Sequence, residues 1–492
     1  MWFIIRTMIR GKVDSARLMA ALVALCAIGL LQGMEAVAGD SLPRRIFNES
    51  AEAKSARLAW WTHDRFGMFI HFGLYALPAR GEWIKELETI PEDRYDVYFR
   101  HFNPNRLDAR KWARAAKEAG MKYAVLTTKH HDGFCLFDSK FTDYKVTKTP
   151  FGRDIVREFV DAFRAEGIRI GFYYSLMDWH HPQYAIDVRH PRRPKTSVLW
   201  GVSGDSDADF PELNRNRDMA KYRQYMKDQV TELLTEYGPI DVIWFDMTYP
   251  GPNGKSAEDW GSVDLLKLVR KLRPEIIVNN RLGLEDTEDG WDFVTPEQFR
   301  VADWPTVGGK RVPWETCQTF SGSWGYNRDQ TTWKASEELI SLLVHSVSKG
   351  GNLIMNVGPT ARGEFDERAL ASLGVYARWM QANAESVYGC TEAPARFKAP
   401  PDTVLTYNPK TNRLYIHLTA YHGGELQVDF GDEVEYAQFL HDGSELTFVQ
   451  PDPQTIKKHY RHGGEGKLSI RLPDVKPPVV NPVVEVFLKS SN

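Results

Sequence analysis

Cysteine is scarce in this chain, which contains four in 492 residues. One of them, Cys26, falls in a predicted leader. The others, Cys135, Cys317 and Cys390, show no Cys-x-x-Cys spacing, which argues against a disulfide scaffold and against a cysteine-based zinc site. Because three is an odd number, at least one thiol stays unpaired within a monomer.

A charge of one sign is also missing. The 62 basic and 65 acidic side chains give a formal net charge of −3. Loss of the leader would change this to about −5, and no basic patch is visible, so neither nucleic acid nor an anionic membrane is an expected partner. The composition is otherwise globular, with 42% hydrophobic residues. Aromatic residues reach 12%, including 15 Trp, and their faces suit sugar rings.

Long hydrophobic runs are lacking outside the N-terminus. An apolar stretch of about 14 residues, Leu18–Leu31, follows several basic residues and precedes Ala36-Val37-Ala38. This pattern predicts a signal peptide over residues 1–38, since a spanning helix needs about 20 apolar residues. An uncleaved anchor is the alternative. We therefore expect a secreted or periplasmic protein, or a lysosomal or extracellular one in a eukaryote, with no membrane span after leader removal.

Short apolar runs alternate with helical patterns over most of the chain. The predicted strands are Met68–Tyr75, Tyr123–Thr128, Ile168–Ser175, Asp241–Phe245, Ile276–Asn280, Trp314–Thr319 and Asn352–Val357. The predicted helices include Asp108–Ala119, Ile155–Glu166, Tyr222–Tyr237, Val263–Leu272 and Ser336–Ser348. Such alternation indicates a parallel sheet, and about seven units favour a (β/α)8-like, TIM-type barrel.

The pattern changes near Thr391, where apolar and polar residues alternate between Gly- and Asn-containing turns. We predict a barrel over residues 39–394 and a C-terminal antiparallel β-sandwich over residues 395–492. Its expected strands are Thr403–Tyr407, Arg413–Thr419, Glu425–Phe430 and Glu445–Val449. The stretch His181–Ala220, rich in Pro, Asp and Arg, is predicted to be a long loop.

Polar side chains recur where the predicted strands end. The most informative stretch, Lys129-His130-His131-Asp132-Gly133-Phe134, follows a buried apolar run, and such side chains are costly to bury without partners. The others are His71, Tyr173, Tyr174, Ser175, Asp246, Asn279, Asn280, Arg281 and Asn356. Because barrel enzymes carry their active sites at the carboxyl ends of the strands, this recurrence predicts a catalytic site there.

Asp246 ends the run Val242-Ile243-Trp244-Phe245. A carboxylate in this place could be a helix N-cap, a metal ligand, a base or a nucleophile. Attack on a sugar carbon would need a second carboxyl group with a raised pKa. The candidates are Glu82, Asp292, Glu297 and Glu315, and spacing alone does not choose among them.

Eight motifs together resemble the α-L-fucosidases of glycoside hydrolase family 29. They are His71-Phe72-Gly73-Leu74-Tyr75, Gly81-Glu82-Trp83, Lys129 to Phe134, Tyr173-Tyr174-Ser175, Trp244-Phe245-Asp246, Trp314-Glu315-Thr316-Cys317, Ser323-Trp324-Gly325-Tyr326-Asn327 and Gly350-Gly351-Asn352-Leu353. Each motif alone is weak, but their order is specific. The resemblance runs from about Arg57 to Pro359, and the sandwich tail also fits it.

The resemblance implies a catalytic role for two carboxyl groups. It makes Asp246 the nucleophile of a retaining mechanism and Glu297, which follows Trp291-Asp292-Phe293, the general acid/base, with Glu315 as a rival. It also implies that Arg281, after Asn280, contacts the sugar. Retaining enzymes hold their two carboxyl groups about 5–5.5 Å apart.

The remaining predicted substrate contacts suit fucose, which has three ring hydroxyls and a methyl group. Polar contacts are expected from His71, Glu82, His130, His131 and Tyr173, and apolar faces from Trp83, Trp244 and Trp324. Adjacent residues of a regular strand point to opposite faces, so one of the two neighbouring histidines could instead hold a loop. The expected partner is a fucosylated oligosaccharide or glycoconjugate, with no cofactor and no metal; an oligomer is left open.

Three other readings compete with this one. A metal-dependent hydrolase could use His71, His130, His131, Asp178, His180 and His181 as ligands. A carbohydrate-binding protein without activity could have kept the pocket, although both Asp246 and Glu297 are present. Cys135 could be a thiol nucleophile, but no oxyanion-binding group is visible and a buried hydrophobic role fits it better.

Overall fold

The structure is a computed structural model that describes residues 44–193, 209–449 and 468–489. The predicted leader and residues 194–208 of the predicted loop lie outside these ranges. No helix within them combines the length and hydropathy that crossing a bilayer requires. The prediction of a signal peptide, and of the compartment that depends on it, therefore stays a prediction.

The helices and strands are numbered here in chain order over the described residues. The helices are α1 (Ala51–Asp64), α2 (Ile84–Leu87), α3 (Glu92–His101), α4 (Ala109–Glu118), α5 (Ile155–Ala165), α6 (Asp209–Asn214), α7 (Met219–Glu236), α8 (Ala257–Trp260), α9 (Ser262–Leu272), α10 (Ser336–Ser348) and α11 (Glu367–Asn383). The strands are β1 (Phe66–Ile70), β2 (Tyr123–Lys129), β3 (Arg169–Ser175), β4 (Val242–Asp246), β5 (Ile277–Val278), β6 (Thr306–Val307), β7 (Lys310–Arg311), β8 (Glu315–Thr319), β9 (Asn352–Val357), β10 (Thr391–Glu392), β11 (Thr403–Asn408), β12 (Arg413–Leu418), β13 (Gly424–Val428), β14 (Val434–Phe439), β15 (Phe448–Val449), β16 (Leu468–Leu472) and β17 (Val483–Leu488).

Seven parallel strands form the barrel sheet in the order β5-β4-β3-β2-β1-β9-β8. Isolated parallel bridges link Phe293 to Asn279 after β5, Val294 to Trp314 before β8, and Glu297 to Cys317 within β8. Residues 293–297 thus occupy the place of an eighth strand between the two edges of the sheet. The predicted (β/α)8-like barrel is confirmed, with this irregular segment completing it.

The helices follow from caps and apolar spacing. Asp108, Asp154 and Asp218 precede α4, α5 and α7, and each side chain accepts a backbone N–H of the first turn. Such caps satisfy donors that have no partner inside a helix. On α4, Trp112, Ala113 and Ala116 are buried, which is the three-to-four-residue spacing of a helix packed against a sheet.

Two strands of the barrel end before their apolar patterns predict. The first ends at Ile70 instead of Tyr75, because the backbone N–H of Phe72 donates to the Thr127 hydroxyl at 3.1 Å, and residues 74–76 form a 3-10 turn. The fifth is two residues long, because the Asn279 side chain takes over the next pairing: its Oδ1 accepts from the Phe245 N–H at 2.9 Å, and its Nδ2 donates to the Phe245 carbonyl at 2.8 Å.

The interior of the barrel is filled by aromatic and aliphatic side chains. Phe69, Tyr123, Val125, Tyr173, Trp244 and Ile354 belong to one buried cluster. Two glycines make room for large neighbours: a Cβ at Gly67 would lie 2.4 Å from the Tyr123 ring, and one at Gly171 would lie 2.7 Å from Val125. The packed interior forms a floor beneath the carboxyl-terminal end of the barrel strands.

The C-terminal strands form two antiparallel sheets, in the orders β10-β11-β12-β17-β14 and β13-β16-β15. Leu405, Leu414, Ile416, Val428, Ile470 and Val486 belong to the buried core that they share. The predicted β-sandwich is confirmed. Its first strand lies at Thr391–Glu392, and the domain boundary between residues 394 and 395 stays a prediction.

Asp292 is a structural carboxylate. Its side chain is 1% exposed and accepts from Arg57 of α1 at 2.7 and 2.9 Å, from Arg270 of α9 at 2.7 Å and from the Val278 N–H at 2.8 Å. Burial opposes ionisation, but Arg270 and Arg57 outweigh it and lower the pKa of Asp292. These contacts occupy the group fully, so it is not available as a catalytic partner of Asp246.

We therefore expect Asp292→Asn to destabilise the protein by about 3–5 kcal/mol at neutral pH, because Arg270 loses the carboxylate it pairs with and the buried Arg57 keeps only Glu49. Urea denaturation measures this. Since the pKa of Asp292 is lowered, its stabilisation is present above the unfolded pKa of about 4 and is lost as the pH falls below it. The difference in free energy of unfolding between wild type and variant should therefore become smaller below that pH.

Asp303→Asn is the matched control, because Asp303 pairs with Lys349 at 3.6 Å while its side chain is 93% exposed. Such a surface pair contributes about 0–1 kcal/mol. Equal losses for the two variants would contradict the structural role of Asp292.

Candidate active site

Asp246 ends strand β4 and is held by several donors. Its Oδ2 accepts from the Tyr173 hydroxyl at 2.8 Å, and its Oδ1 accepts from Arg281 Nη1 at 3.0 Å and from the Met247 N–H at 2.9 Å. His131 Nε2 lies 3.9 Å from Oδ2. Met247 has a φ of 80°, so the chain turns sharply after the carboxylate. These contacts fix the position of a largely buried carboxylate.

Arg281 joins two carboxylates. Its Nη1 contacts Asp246, and its Nη2 donates to Glu297 Oε2 at 2.8 Å. Burial lowers the pKa of Arg281, but Glu297 and Asp246 outweigh this and the pKa is raised overall. Because one guanidinium reaches both groups, Asp246 and Glu297 belong to one site.

The rest of the Arg281 side chain is held equally firmly. Its Nε donates to the Thr295 hydroxyl at 2.9 Å, and that hydroxyl donates to Asn280 Oδ1 at 3.1 Å. The guanidinium carbon lies 4.6 Å from the centre of the Trp244 ring, a cation–π distance. Arg281 is therefore oriented by the floor of the barrel and by the irregular eighth strand.

Glu297 lies at the end of that eighth strand. The bridge to Cys317 of β8 positions its backbone, and its side chain is 34% exposed. It is the more open of the two carboxylates, whereas the Asp246 side chain is 12% exposed. One carboxyl group thus lies deep in the barrel mouth and the other at its solvent side.

Two histidines present a nitrogen acceptor to the site. His71 Nδ1 lies 2.6 Å from Asn356 Oδ1, so Nδ1 carries the hydrogen. His131 Nδ1 lies 2.7 Å from the Ser175 hydroxyl, which itself donates to the Met177 carbonyl at 2.9 Å, so this Nδ1 also donates. Burial lowers the pKa of His71 to about 3 and that of His131 well below its usual value, so both rings are neutral.

His130 lies on the same side as His131. The two ring centres are 3.9 Å apart, and the His130 ring stacks on Tyr173 at 5.6 Å and 14°. The alternation expected of a regular strand does not apply, because β2 ends at Lys129 and a turn follows. Burial lowers the pKa of His130, and its Nδ1 is buried without a hydrogen-bond partner among the described residues.

Two half-buried tryptophans and one glutamate form the walls. Trp83 packs edge-on against His131 at 4.9 Å, and Trp324 lies 5.1 Å from the ring of His71. Glu82 Oε2 accepts from the Gly325 N–H at 2.7 Å. Burial, together with the charge of Glu297, raises the pKa of Glu82. Glu82, Trp83 and Trp324, all predicted as substrate contacts, therefore lie at the site.

Tyr173 and Trp244 are almost completely buried. Tyr173 is 1% exposed with its hydroxyl on Asp246, and Trp244 is 2% exposed beneath Arg281. Both support the charged residues from below. Their direct contact with a sugar stays a prediction.

Glu315 lies apart from the Asp246–Arg281–Glu297 group, in the barrel interior. Its side chain accepts from the Tyr123 hydroxyl and lies beside the indoles of Trp61 and Trp244. Burial raises the pKa of Glu315 to about 7. No contact with Arg281 is found for it within the described ranges.

No three of the six residues considered as metal ligands place ligand atoms within 4.8 Å of one another in the described ranges. Among described residues, one group of potential ligands lies within 4.8 Å, formed by Glu92, Asp96 and His180. The ammonium of Lys85 already pairs with Glu92 at 3.0 Å. The thiol reading of Cys135 also loses support, because burial raises the pKa of this thiol to about 12, which disfavours the thiolate.

Sequence reasoning does not predict the roles of several residues that orient the site. Ser175 and Asn356 fall at predicted strand ends, but their role in setting the histidine tautomers depends on pairing between distant strands. Thr295, which holds Arg281, lies in a segment without periodicity and carries no sequence signal.

Comparisons with known proteins agree with this geometry. A family model described as alpha-L-fucosidase matches residues 40–385. Human plasma alpha-L-fucosidase is 30% identical over 403 residues, which covers 75% of this chain and 78% of the relative. Human tissue alpha-L-fucosidase is 30% identical over 415 residues, with 78% and 80% covered.

Solved structures give the same answer. Alpha-L-fucosidase isoenzyme 1 from Paenibacillus thiaminolyticus has a TM-score of 0.79 and 40% identity, covering 89% of this chain and all of that one. A family 29 alpha-L-fucosidase from Bacteroides thetaiotaomicron has a TM-score of 0.72 and 27% identity, covering 93% and 100%. From its barrel and its matched residues, the chain belongs to the alpha-L-fucosidase family and is a glycoside hydrolase.

Proposed function

We propose that the protein is an exo-acting, retaining α-L-fucosidase that removes terminal α-L-fucose from fucosylated glycans through a fucosyl-aspartate intermediate. The observation that carries this is the Arg281 guanidinium, which contacts Asp246 and Glu297 at 3.0 and 2.8 Å. A buried and a half-buried carboxylate that share one guanidinium suit double displacement. The Bacteroides relative was trapped as a covalent intermediate with 2-fluoro-fucosyl fluoride in a glutamate-to-glutamine mutant.

Asp246 is the proposed nucleophile. Its oxygen forms a bond to the anomeric carbon while the bond from that carbon to the leaving oxygen breaks. The donors from Tyr173, Arg281 and the Met247 N–H hold the carboxylate in one orientation, so little motion is needed before attack. Its deep position keeps bulk water away from the fucosyl-enzyme bond.

Glu297 is the proposed general acid/base. In the first step its carboxyl proton passes to the departing oxygen. In the second step its carboxylate takes a proton from the water that attacks the anomeric carbon, and the Asp246–carbon bond breaks. Its greater exposure fits both steps, because the leaving group departs and water enters on the solvent side.

The neutral histidines and the walls suit the sugar. His71 and His131 each offer an Nε2 lone pair that can accept a fucose hydroxyl, with the tautomer set by Asn356 and Ser175. The faces of Trp83 and Trp324 suit the apolar ring face and methyl group. Glu82, fixed by the Gly325 N–H, is proposed to bind a hydroxyl.

Azide rescue tests the two carboxyl roles. Asp246→Ala should lower kcat by several powers of ten, since a covalent nucleophile is lost. Added azide should restore turnover and give β-fucosyl azide, the inverted product. Glu297→Ala should be rescued with the retained product, α-fucosyl azide. NMR of the products distinguishes the two anomers.

A fluorinated fucosyl inactivator provides the control for the wild type. Peptide mapping should place the label on Asp246. Label on another residue of an active enzyme, or a retained azide product from Asp246→Ala, contradicts the proposed mechanism.

Variants of Glu315 test whether this residue, rather than Glu297, is the acid/base. They are compared with wild type in stability and in activity. Its pKa, raised by burial to about 7, exceeds the unfolded value of about 4.3, so the free energy of unfolding falls as pH rises between these values. Glu315→Gln does not ionise. Between pH 5 and pH 8, the free energy of unfolding of this variant should therefore rise relative to that of wild type by up to about 3 kcal/mol, measured by urea denaturation.

The same variant should keep kcat/KM within about tenfold of wild type, because Glu315 contacts neither Asp246 nor Arg281 in the described structure. Glu315→Ala should yield no fucosyl azide. A retained azide adduct from Glu315→Ala, and none from Glu297→Ala, would instead make Glu315 the acid/base.

A further inference from the structure

We propose that Gln298 is a positioning residue that holds the acid/base Glu297 in place by joining the eighth strand to the loop that carries Trp324. This inference rests on the role proposed above for Glu297. Gln298 follows Glu297 directly, and its φ of 58° lies in the left-handed region. Glycine adopts that region freely, Asn and Asp do so less often, and glutamine has no such preference.

The side chain of Gln298 explains why a glutamine is found in this strained position. Its Oε1 accepts from the Thr319 hydroxyl at 2.9 Å, and the same hydroxyl accepts from the Gly322 N–H at 2.7 Å. Its Nε2 lies 3.5 Å from the Gly322 carbonyl. A turn alone would not need these side-chain contacts. They link the segment that ends at Glu297 to the loop that follows Thr319.

The two joined segments carry the solvent side of the site. Before Glu297, the chain is held by the Thr295 hydroxyl, which accepts a hydrogen bond from Arg281 Nε. At Glu297 it bridges to Cys317, and the Gln298 N–H donates to the Cys317 carbonyl at 3.0 Å. The loop on the other side of Thr319 leads to Trp324 and to the Gly325 N–H that binds Glu82.

The torsion at Gln298 therefore sets how the chain leaves Glu297. If the contact with Thr319 is lost, the residue can relax toward negative φ, and the peptide after Glu297 must turn with it. A displacement of about 1 Å in a catalytic group can cost about a hundredfold in rate. The loss of kcat/KM should appear only for substrates whose leaving group needs a proton.

Leaving groups of different basicity isolate that step. A 2,4-dinitrophenyl fucoside needs little protonation, because its phenolate is a stable anion. A phenyl fucoside or a fucosyl disaccharide needs a proton from Glu297 as the bond breaks. A displaced acid thus lowers kcat/KM for the second class alone, whereas general damage to the fold lowers both.

The experiment compares Gln298→Gly, Thr319→Val and Thr319→Ser with wild type on both substrate classes. Gln298→Gly permits the torsion but removes the side chain, and Thr319→Val removes the hydroxyl. Each should lower kcat/KM about tenfold for the phenyl fucoside and less than about twofold for the dinitrophenyl fucoside. Thr319→Ser keeps the hydroxyl and should restore wild-type behaviour.

Asn412→Gly is the matched control, because Asn412 also has a positive φ, of 54°, and its side chain accepts from Tyr407 at 3.0 Å in the distant sandwich. It should leave both substrates unchanged. Equal losses on both substrates, or no loss, in Gln298→Gly and Thr319→Val overturn the inference. Glu297→Ala is measured alongside: if it shows no leaving-group dependence, the proposed function itself fails.

Discussion

The contact of one guanidinium with two carboxylates is the interaction on which the active site depends. Arg281 brings the buried Asp246 and the more open Glu297 into one group, and it can do so only because three separate elements meet there. Asp246 ends β4, Arg281 follows the short β5, and Glu297 ends the irregular segment that completes the barrel. A single cation in contact with both groups offsets the repulsion that arises whenever both are ionised. The segment that closes the barrel therefore also positions Glu297 beside Arg281 and Asp246.

Preorganisation extends one layer beyond the charged groups. The histidines contribute as neutral rings because burial disfavours their charged form, and their tautomers are set by Asn356 and Ser175 from other strands. Tyr173 and Trp244, both buried, support Asp246 and Arg281 from the barrel interior. In the proposed site a sugar would meet groups whose orientation is already determined, so its binding would need little reorganisation.

Much of the fold could be predicted from the sequence, because hydrophobic periodicity and Asp caps are local signals. The motif order also identified the family. The parts of the fold that could not be predicted are those where tertiary contacts, and not local sequence patterns, determine the backbone. The Asn279 side chain substitutes for strand pairing and shortens β5, and residues 293–297 form a strand only through isolated bridges. Inward-facing aromatic residues such as Trp244 carry no local sign of whether they meet a ligand or support a neighbour, because both roles need the same alternation along a strand.

Four carboxyl groups illustrate how surroundings divide one chemistry into different roles. Asp292 is surrounded by two guanidinium groups and has a lowered pKa, which suits a structural anion. Glu315 is buried among aromatic rings with a pKa of about 7, which suits a neutral hydrogen-bonding group inside a barrel. Glu82 is buried at the wall, and its pKa is also raised. Glu297 alone of these joins a second carboxylate through Arg281 while its side chain keeps 34% of its surface in solvent. Proton exchange with a leaving group and then with water requires that combination of proximity and access. Position in the fold, more than residue type or spacing, therefore distinguishes the proposed acid/base from its rivals.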